Sequence, residues 1–196
     1  PGAGTLNFTP LGSVEAFISK LDTNGNLVWA RQFETTDTVQ GFGIAVDKNE
    51  NVYITGNFSE SADFDPGISD EVLTAIAQSD AFAVKLDASG NLVWARRFGG
   101  DAGEFGVAIA VDAGGRAYVT GSFNDDIRIA TATSEVVLNT VDEEEIFVAK
   151  LNKAGDALWA GVPLLTCRGT TFVGRVAASL LLNAGLPELV TESQEE

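Results

Sequence analysis

The 196-residue chain carries 28 acidic and 12 basic side chains, for a formal net charge of −16, and it has no histidine. That balance argues against nucleic acid as a partner, since affinity for a phosphate backbone comes largely from Lys and Arg releasing counterions; the lack of imidazole removes Ser-His-Asp and Cys-His catalysis and His-ligated metals. A lone cysteine, Cys167, forbids an intrachain disulfide, and no apolar run is long enough for a membrane-spanning helix.

In chain order, the first recognisable segment is Glu15-Ala-Phe-Ile-Ser-Lys-Leu-Asp-Thr-Asn-Gly-Asn-Leu-Val-Trp-Ala-Arg-Gln-Phe33. It aligns without a gap on Asp80-Ala-Phe-Ala-Val-Lys-Leu-Asp-Ala-Ser-Gly-Asn-Leu-Val-Trp-Ala-Arg-Arg-Phe98, an offset of 65 residues. The register persists through Tyr53/Tyr118, Gly56/Gly121 and Phe58/Phe123, and reaches Phe147, Lys150 and Trp159. Units therefore run over about 15–79 and 80–144, with a third starting at 145.

Each unit contains two echoes of one hairpin: Lys20 to Trp29 has the outline of Ala45 to Ile54. Apolar and β-branched runs flank an Asp-x-x-Gly-Asn loop, where Asp bonds the turn backbone and Gly takes the left-handed position. Gly43 to Val46 and Val107 to Val111 read as strands buried on both faces. Asp63-Phe-Asp-Pro-Gly67 followed by Val72 to Ile76 reads as a loop and one extra short strand.

The regular unit of about four or five strands predicts propeller-type blades, with an open β-solenoid or stacked sandwich as the alternative. Trp29, Trp94 and Trp159, with Phe17, Phe82 and Phe147, are the expected repeat anchors between sheets. Two units and a fraction are too few to close a ring. The chain is thus expected to be part of a longer product or an open stack, with exposed faces that self-associate.

The recurring Asp-Ala-Phe-x-x-Lys-Leu-Asp-x-x-Gly-Asn-Leu-Val-Trp-Ala, followed by Gly-Ile-Ala-Val-Asp-x-x-x-Asn-Val-Tyr-x-Thr-Gly, resembles the SBBP family of bacterial β-propeller repeats. The resemblance implies a non-catalytic scaffold outside the cell or on its surface, with a protein or glycan ligand left unspecified.

After Trp159 the apolar period changes from two to about 3.6. Val162 to Cys167 reads as a short strand. Phe172, Val176, Leu180 and Ala184 then line one face of a helix, with Gly185 and Pro187 as stop signals. The fold class expected is therefore mainly β, with blades over 1–155 and a strand-helix tail over 156–196. Asp156-Ala-Leu-Trp-Ala-Gly-Val-Pro-Leu-Leu-Thr-Cys-Arg-Gly-Thr-Thr, with the helix after it, resembles the end of the catalytic domain of O-linked N-acetylglucosamine transferases. That resemblance implies a UDP contact at Asp156; Arg168, Thr170 and Thr171 precede the helix, whose free amides and dipole favour an anion such as the phosphates of a nucleotide sugar, with N-capping by Thr170 as the alternative. The sequence departs from the family at Asn152 to Gly155, where a Thr-rich stretch is expected, and at Arg168, where Pro is usual. A lone β-α unit cannot position donor and acceptor together, so no catalytic residue is expected.

Two further readings concern cations. Asp22 to Asn26 and Asp87 to Asn91 have the opening oxygens of a calcium loop without its distal Glu, and read as turns. Asp63 and Asp65 form the better candidate pair for calcium, which would make the chain a calcium-stabilised adhesion module; no other cofactor is expected.

Overall fold

The computed structural model describes residues 7–67, 69–130, 133–139 and 144–158. All regular structure among them is β, with no helix. The expected strand-helix tail lies outside the described residues, as do Trp159, Cys167, Arg168, Thr170 and Thr171.

The chain starts with a two-stranded sheet, β1 (Phe17–Leu21) and β2 (Leu27–Gln32), closed by the Asp22 turn. After the short β3 (Glu34–Thr35) come four strands of a six-stranded sheet, the first blade-like unit: β4 (Val39–Val46), β5 (Val52–Phe58), β8 (Asp80–Leu86) and β9 (Leu92–Gly99), hydrogen-bonded in that order and antiparallel. A second blade is formed by β10 (Glu104–Val111), β11 (Ala117–Phe123) and β14 (Glu145–Leu151). Leu151 bridges Ala157 where its outermost strand would begin.

The two hairpins of one sequence unit do not share a sheet. The second hairpin of one unit (β4–β5) pairs with the first hairpin of the next (β8–β9), in an unbroken register from Val52↔Leu86 to Phe58↔Asp80. Residues 33–38 and 100–103 carry the chain onto the neighbouring sheet, whereas the longer 59–79 returns it to the same one.

That longer link is a hairpin, not the expected loop with one strand. β6 (Ser61–Asp63) pairs with β7 (Val72–Thr74), and β12 (Asp126–Ala130) pairs with β13 (Glu135–Asn139). Both hairpins reach back to the end of the first hairpin of their own unit. β6 pairs with β3, and β12 pairs with the end of β9 through Phe98↔Ile129 and Gly99↔Arg128. Each inserted hairpin thus straps the end of the previous outer strand.

The straps bring core residues with them. Phe64 is fully buried, 4.7 Å from Phe82 and 5.2 Å from Phe33 between ring centroids. One period on, Ile129 is buried in the core that holds Phe98, Phe123 and Phe147. Burial of each such side chain stabilises by about 1.5–3 kcal/mol before entropy is counted.

The strands buried on both faces are β5 and β8, in which every residue is buried. The expectation for Gly43 to Val46 fails: β4 is a sheet edge, and Ile44 and Val46 are 61% and 58% exposed. β10 also exposes part of its run, at Val107, although Ile109 is buried.

Candidate functional site: the joint between blades

The Asp-x-x-Gly-Asn turns are built by their own side chains. Asp22 Oδ1 accepts the amides of Asn24 and Asn26 at 2.8 Å, Asp87 Oδ1 does the same for Ser89 and Asn91, and the Gly25 and Gly90 φ angles are +82° and +80°. Those amides hold the Asp22 and Asp87 carboxyls below the usual carboxylate range, with the Asn26 side chain the largest influence on Asp22 and the Asn91 amide the largest on Asp87. Both loops are therefore turns, as their sequence predicts.

The turns are also sockets for the neighbouring unit. Trp29 Nε1 donates to the Ala88 carbonyl at 3.0 Å, and Arg31 reaches the carbonyls of Gly90 and Ser89 at 3.0 and 3.1 Å. One period later, Trp94 Nε1 donates to Lys153 O at 3.1 Å and Arg96 to Ala154 O at 2.7 Å. A Trp-Ala-Arg segment on one outer hairpin thus clamps the turn of the next. Trp29 and Trp94 are both buried.

Glycine is required in the socket for two reasons, its left-handed φ and the ring above it. A Cβ on Gly90 would stand 3.0 Å from the Trp29 ring, while one on Gly25 would meet open space. Gly25→Ala should cost roughly 1–2 kcal/mol of backbone strain, and Gly90→Ala should cost more by about 1 kcal/mol through displacement of Trp29. Urea midpoints measure both, and equal losses would show that the ring does not bear on the turn.

The Phe anchors divide. Phe82 and Phe147 are fully buried, but Phe17 is 66% exposed, which corrects the expectation for it. Phe82 is enclosed by Phe33, Phe58 and Phe64; Phe17 belongs to a two-stranded sheet, and its ring contact among the described residues is Phe8, at 6.1 Å.

Asp156 lies in the third turn with the roles of its partners exchanged. Asn152 Oδ1 accepts the Ala154 and Asp156 amides, Asn152 Nδ2 donates to Asp156 Oδ2 at 3.1 Å, and Arg96 stands 3.5 Å from Asp156 Oδ1. Asp63 Oδ1 accepts the amides of Asp65 and Glu71, and Asp65 Oδ1 accepts that of Gly67, all at 2.9 Å. Among the described residues no group of three or more His, Cys, Asp or Glu is placed to hold a metal ion, and no helix is long and apolar enough to cross a membrane.

A buried acidic cluster at the link between blades was not anticipated. Glu104 and Asp80 are fully buried; Arg97 lies 3.5 Å from Asp80 Oδ2, and Gly100 N donates to Glu104 Oε2 at 2.9 Å. The sequence signal was the acid that recurs as Glu15, Asp80 and Glu145, the first two of which accept loop amides four residues upstream at Leu11 and Ile76.

The outer surfaces of the two blades carry the unused halves of the joint. Gly106 and Ile109 of β10 pack where a Cβ on Gly106 would be 2.2 Å from Thr55 Oγ1, whereas a Cβ on the equivalent Gly41 would meet Ile54 at an ordinary 3.7 Å and Ile44 is exposed. On the far side, a cavity of about 380 Å³ lined by Val107, Thr120, Gly121 and Ile146 lies where Thr55 and Gly56 receive β10 one unit earlier.

This architecture defines a β-repeat module, and comparison with known proteins agrees on the repeat. Residues 28–57 match the Beta-propeller repeat family, and residues 149–196 match Glycosyl transferase family 41. An uncharacterized WD repeat-containing protein of Acanthamoeba polyphaga mimivirus is 28% identical over 170 residues, covering 81% of this chain and 12% of that protein. The regulatory protein FlaEY of Caulobacter vibrioides is 28% identical over 127 residues, 64% of this chain and 13% of its own length. The chain spans about an eighth of each of these relatives.

Proposed function

We propose that the chain is a non-catalytic scaffold segment of a secreted or cell-surface bacterial protein, with blades over 1–155 that bind protein or glycan and associate with further blades through their open faces. The observation that carries this reading is the contrast between equivalent residues. Ile109 is 8% exposed inside the joint and Ile44 is 61% exposed outside it. An exposed apolar edge strand at one end and a matching cavity at the other favour association between copies, since covering the strand removes apolar area from water and gives its free edge a partner. Joining two different faces in this way is heterologous, and builds rings or open stacks.

Sedimentation velocity tests the reading. The wild-type chain should shift to larger species as its concentration rises through tens of micromolar, a range set here as roughly that of modest apolar interfaces. Ile44→Asp should hold it monomeric without changing its circular dichroism. A wild-type chain that is monomeric throughout would refute association through these faces.

The family 41 match favours a second reading, a remnant of a UDP-sugar-dependent glycosyltransferase in which Asp156, Arg168, Thr170 and Thr171 bind the nucleotide sugar. The match covers about a quarter of the chain, and catalysis needs groups preorganised around donor and acceptor together. Calorimetric titration with UDP and UDP-N-acetylglucosamine decides between the readings. The scaffold reading expects no heat, whereas binding that is lost in Asp156→Ala would favour the transferase remnant.

A further inference from the structure

The two successive joints differ at one point. In the first, Lys20 Nζ lies 2.6 Å from Glu50 Oε2 and donates to Ala88 O at 3.1 Å. Glu50 holds a φ of 63°, a left-handed conformation that costs a non-glycine residue roughly 1–2 kcal/mol, and from it the carboxylate reaches the lysine of the preceding hairpin. In the second joint the equivalent lysine is Lys85, and the position of Glu50 is taken by Gly115, with the same left-handed backbone at φ 76° but no side chain.

Lys85 is consequently a buried cation whose acid is missing. It is only 8% exposed, and among the described residues its ammonium has no ion pair or hydrogen bond and rests 5.2 Å from the centre of the Tyr53 ring. Lysine is rarely buried without a counter-charge. The ammonium faces a cleft of about 320 Å³ lined by Lys48, Lys153, Asn49, Asn51 and Gly115. In a chain of net charge −16, this lining holds three lysines against one aspartate, Asp47, whose carboxylate is already engaged by the Asn49 and Asn51 amides and the Asn51 side chain.

We propose that this cleft between the blades binds a small organic carboxylate, which takes the place on Lys85 that Glu50 takes on Lys20. Lys48 and Lys153 add charge at the rim, and the Asn49 side chain offers hydrogen bonds to hydroxyl or amide groups of the ligand. A cleft of about 320 Å³ is at the small end of ligand sites and suits a molecule the size of a monosaccharide or amino acid. The inference deepens the interaction-module reading by giving it a ligand class, and is tested by a measurement separate from self-association.

The test is calorimetry at low ionic strength with glucuronate and N-acetylglutamate as probes, which separate a sugar source of the carboxylate from a peptide source, and with glucose as the neutral control. One saturable site for at least one carboxylate and none for glucose is expected. Gly115→Glu supplies the internal acid and should weaken binding by about tenfold or more, as should Lys85→Met. Glu50→Gly should open a second site on Lys20 and raise the stoichiometry from one to two. Melting curves establish that each variant folds, and Gly115→Glu decides the matter should Lys85→Met not fold. Heats from both carboxylates equal to those from glucose, or unchanged affinity in Gly115→Glu, would overturn the proposal.

Discussion

Trp94→Ala should destabilise the protein by about 3–5 kcal/mol, the range for removing a buried indole. Trp94 is 4% exposed between two sheets, donates to Lys153 O and stands edge-on to Tyr53 at 6.1 Å. Its removal leaves a cavity against Gly155, whose missing Cβ is what admits the ring. Trp29→Ala makes the same chemical change, yet Trp29 ties only the two-stranded β1–β2 sheet to the rest. It should release that hairpin locally, with loss of amide protection in β1 and β2 and a smaller shift in the global midpoint. Urea unfolding followed by circular dichroism, with hydrogen exchange, separates the two variants. Equal global losses would mean that β1–β2 unfolds as one unit with the blades.

Much of this joint was legible in the sequence. Asp-x-x-Gly-Asn specifies a turn by local chemistry alone, and a tryptophan at a fixed distance after each turn marks a repeated contact. The phase of the blades was not legible. Alternating apolar residues locate strands but leave open which strand each one pairs with: the link at 33–38, close in length to the hairpin turns, changes sheet, while the much longer 59–79 stays in one. Internal periodicity also treats every copy alike. It gives Phe17 the burial of Phe82 and Ile44 that of Ile109, although in each pair one member lacks a neighbouring sheet. The exchange of Asp22/Asn26 for Asn152/Asp156 had the opposite effect. It keeps the turn while placing a carboxylate where a transferase motif reads as a nucleotide contact.

The acid cluster gives the joint a pH dependence whose sign is set by burial. Desolvation is the largest influence on Glu104, with Asp80 and Asp126 adding repulsion against the opposing pull of the Gly100 amide and Arg97; its pKa rises from the ordinary 4.5 to about 8. Glu104 Oε1 is buried without a partner, and the contact between Glu104 and Asp80 is a hydrogen bond only when one of the two carries a proton. Because the folded state binds this proton more tightly than the unfolded chain, the contribution is fully present below pH 4.5 and is lost progressively as pH rises to about 8. Glu104→Gln fixes the side chain in a form resembling the protonated acid: its carbonyl serves the Gly100 amide and its NH₂ can face Asp80. The variant should match the wild type at pH 5 to within about 1 kcal/mol and exceed it at pH 9 by a few kcal/mol, which is roughly several degrees in melting temperature for a domain of this size. The comparison between variant and wild type cancels the general repulsion of a chain with net charge −16, which also grows with pH. Parallel pH profiles for the two proteins would place the ionised form of Glu104 in the folded state at neutral pH, and would remove the acid cluster as a determinant of how firmly the blades are joined.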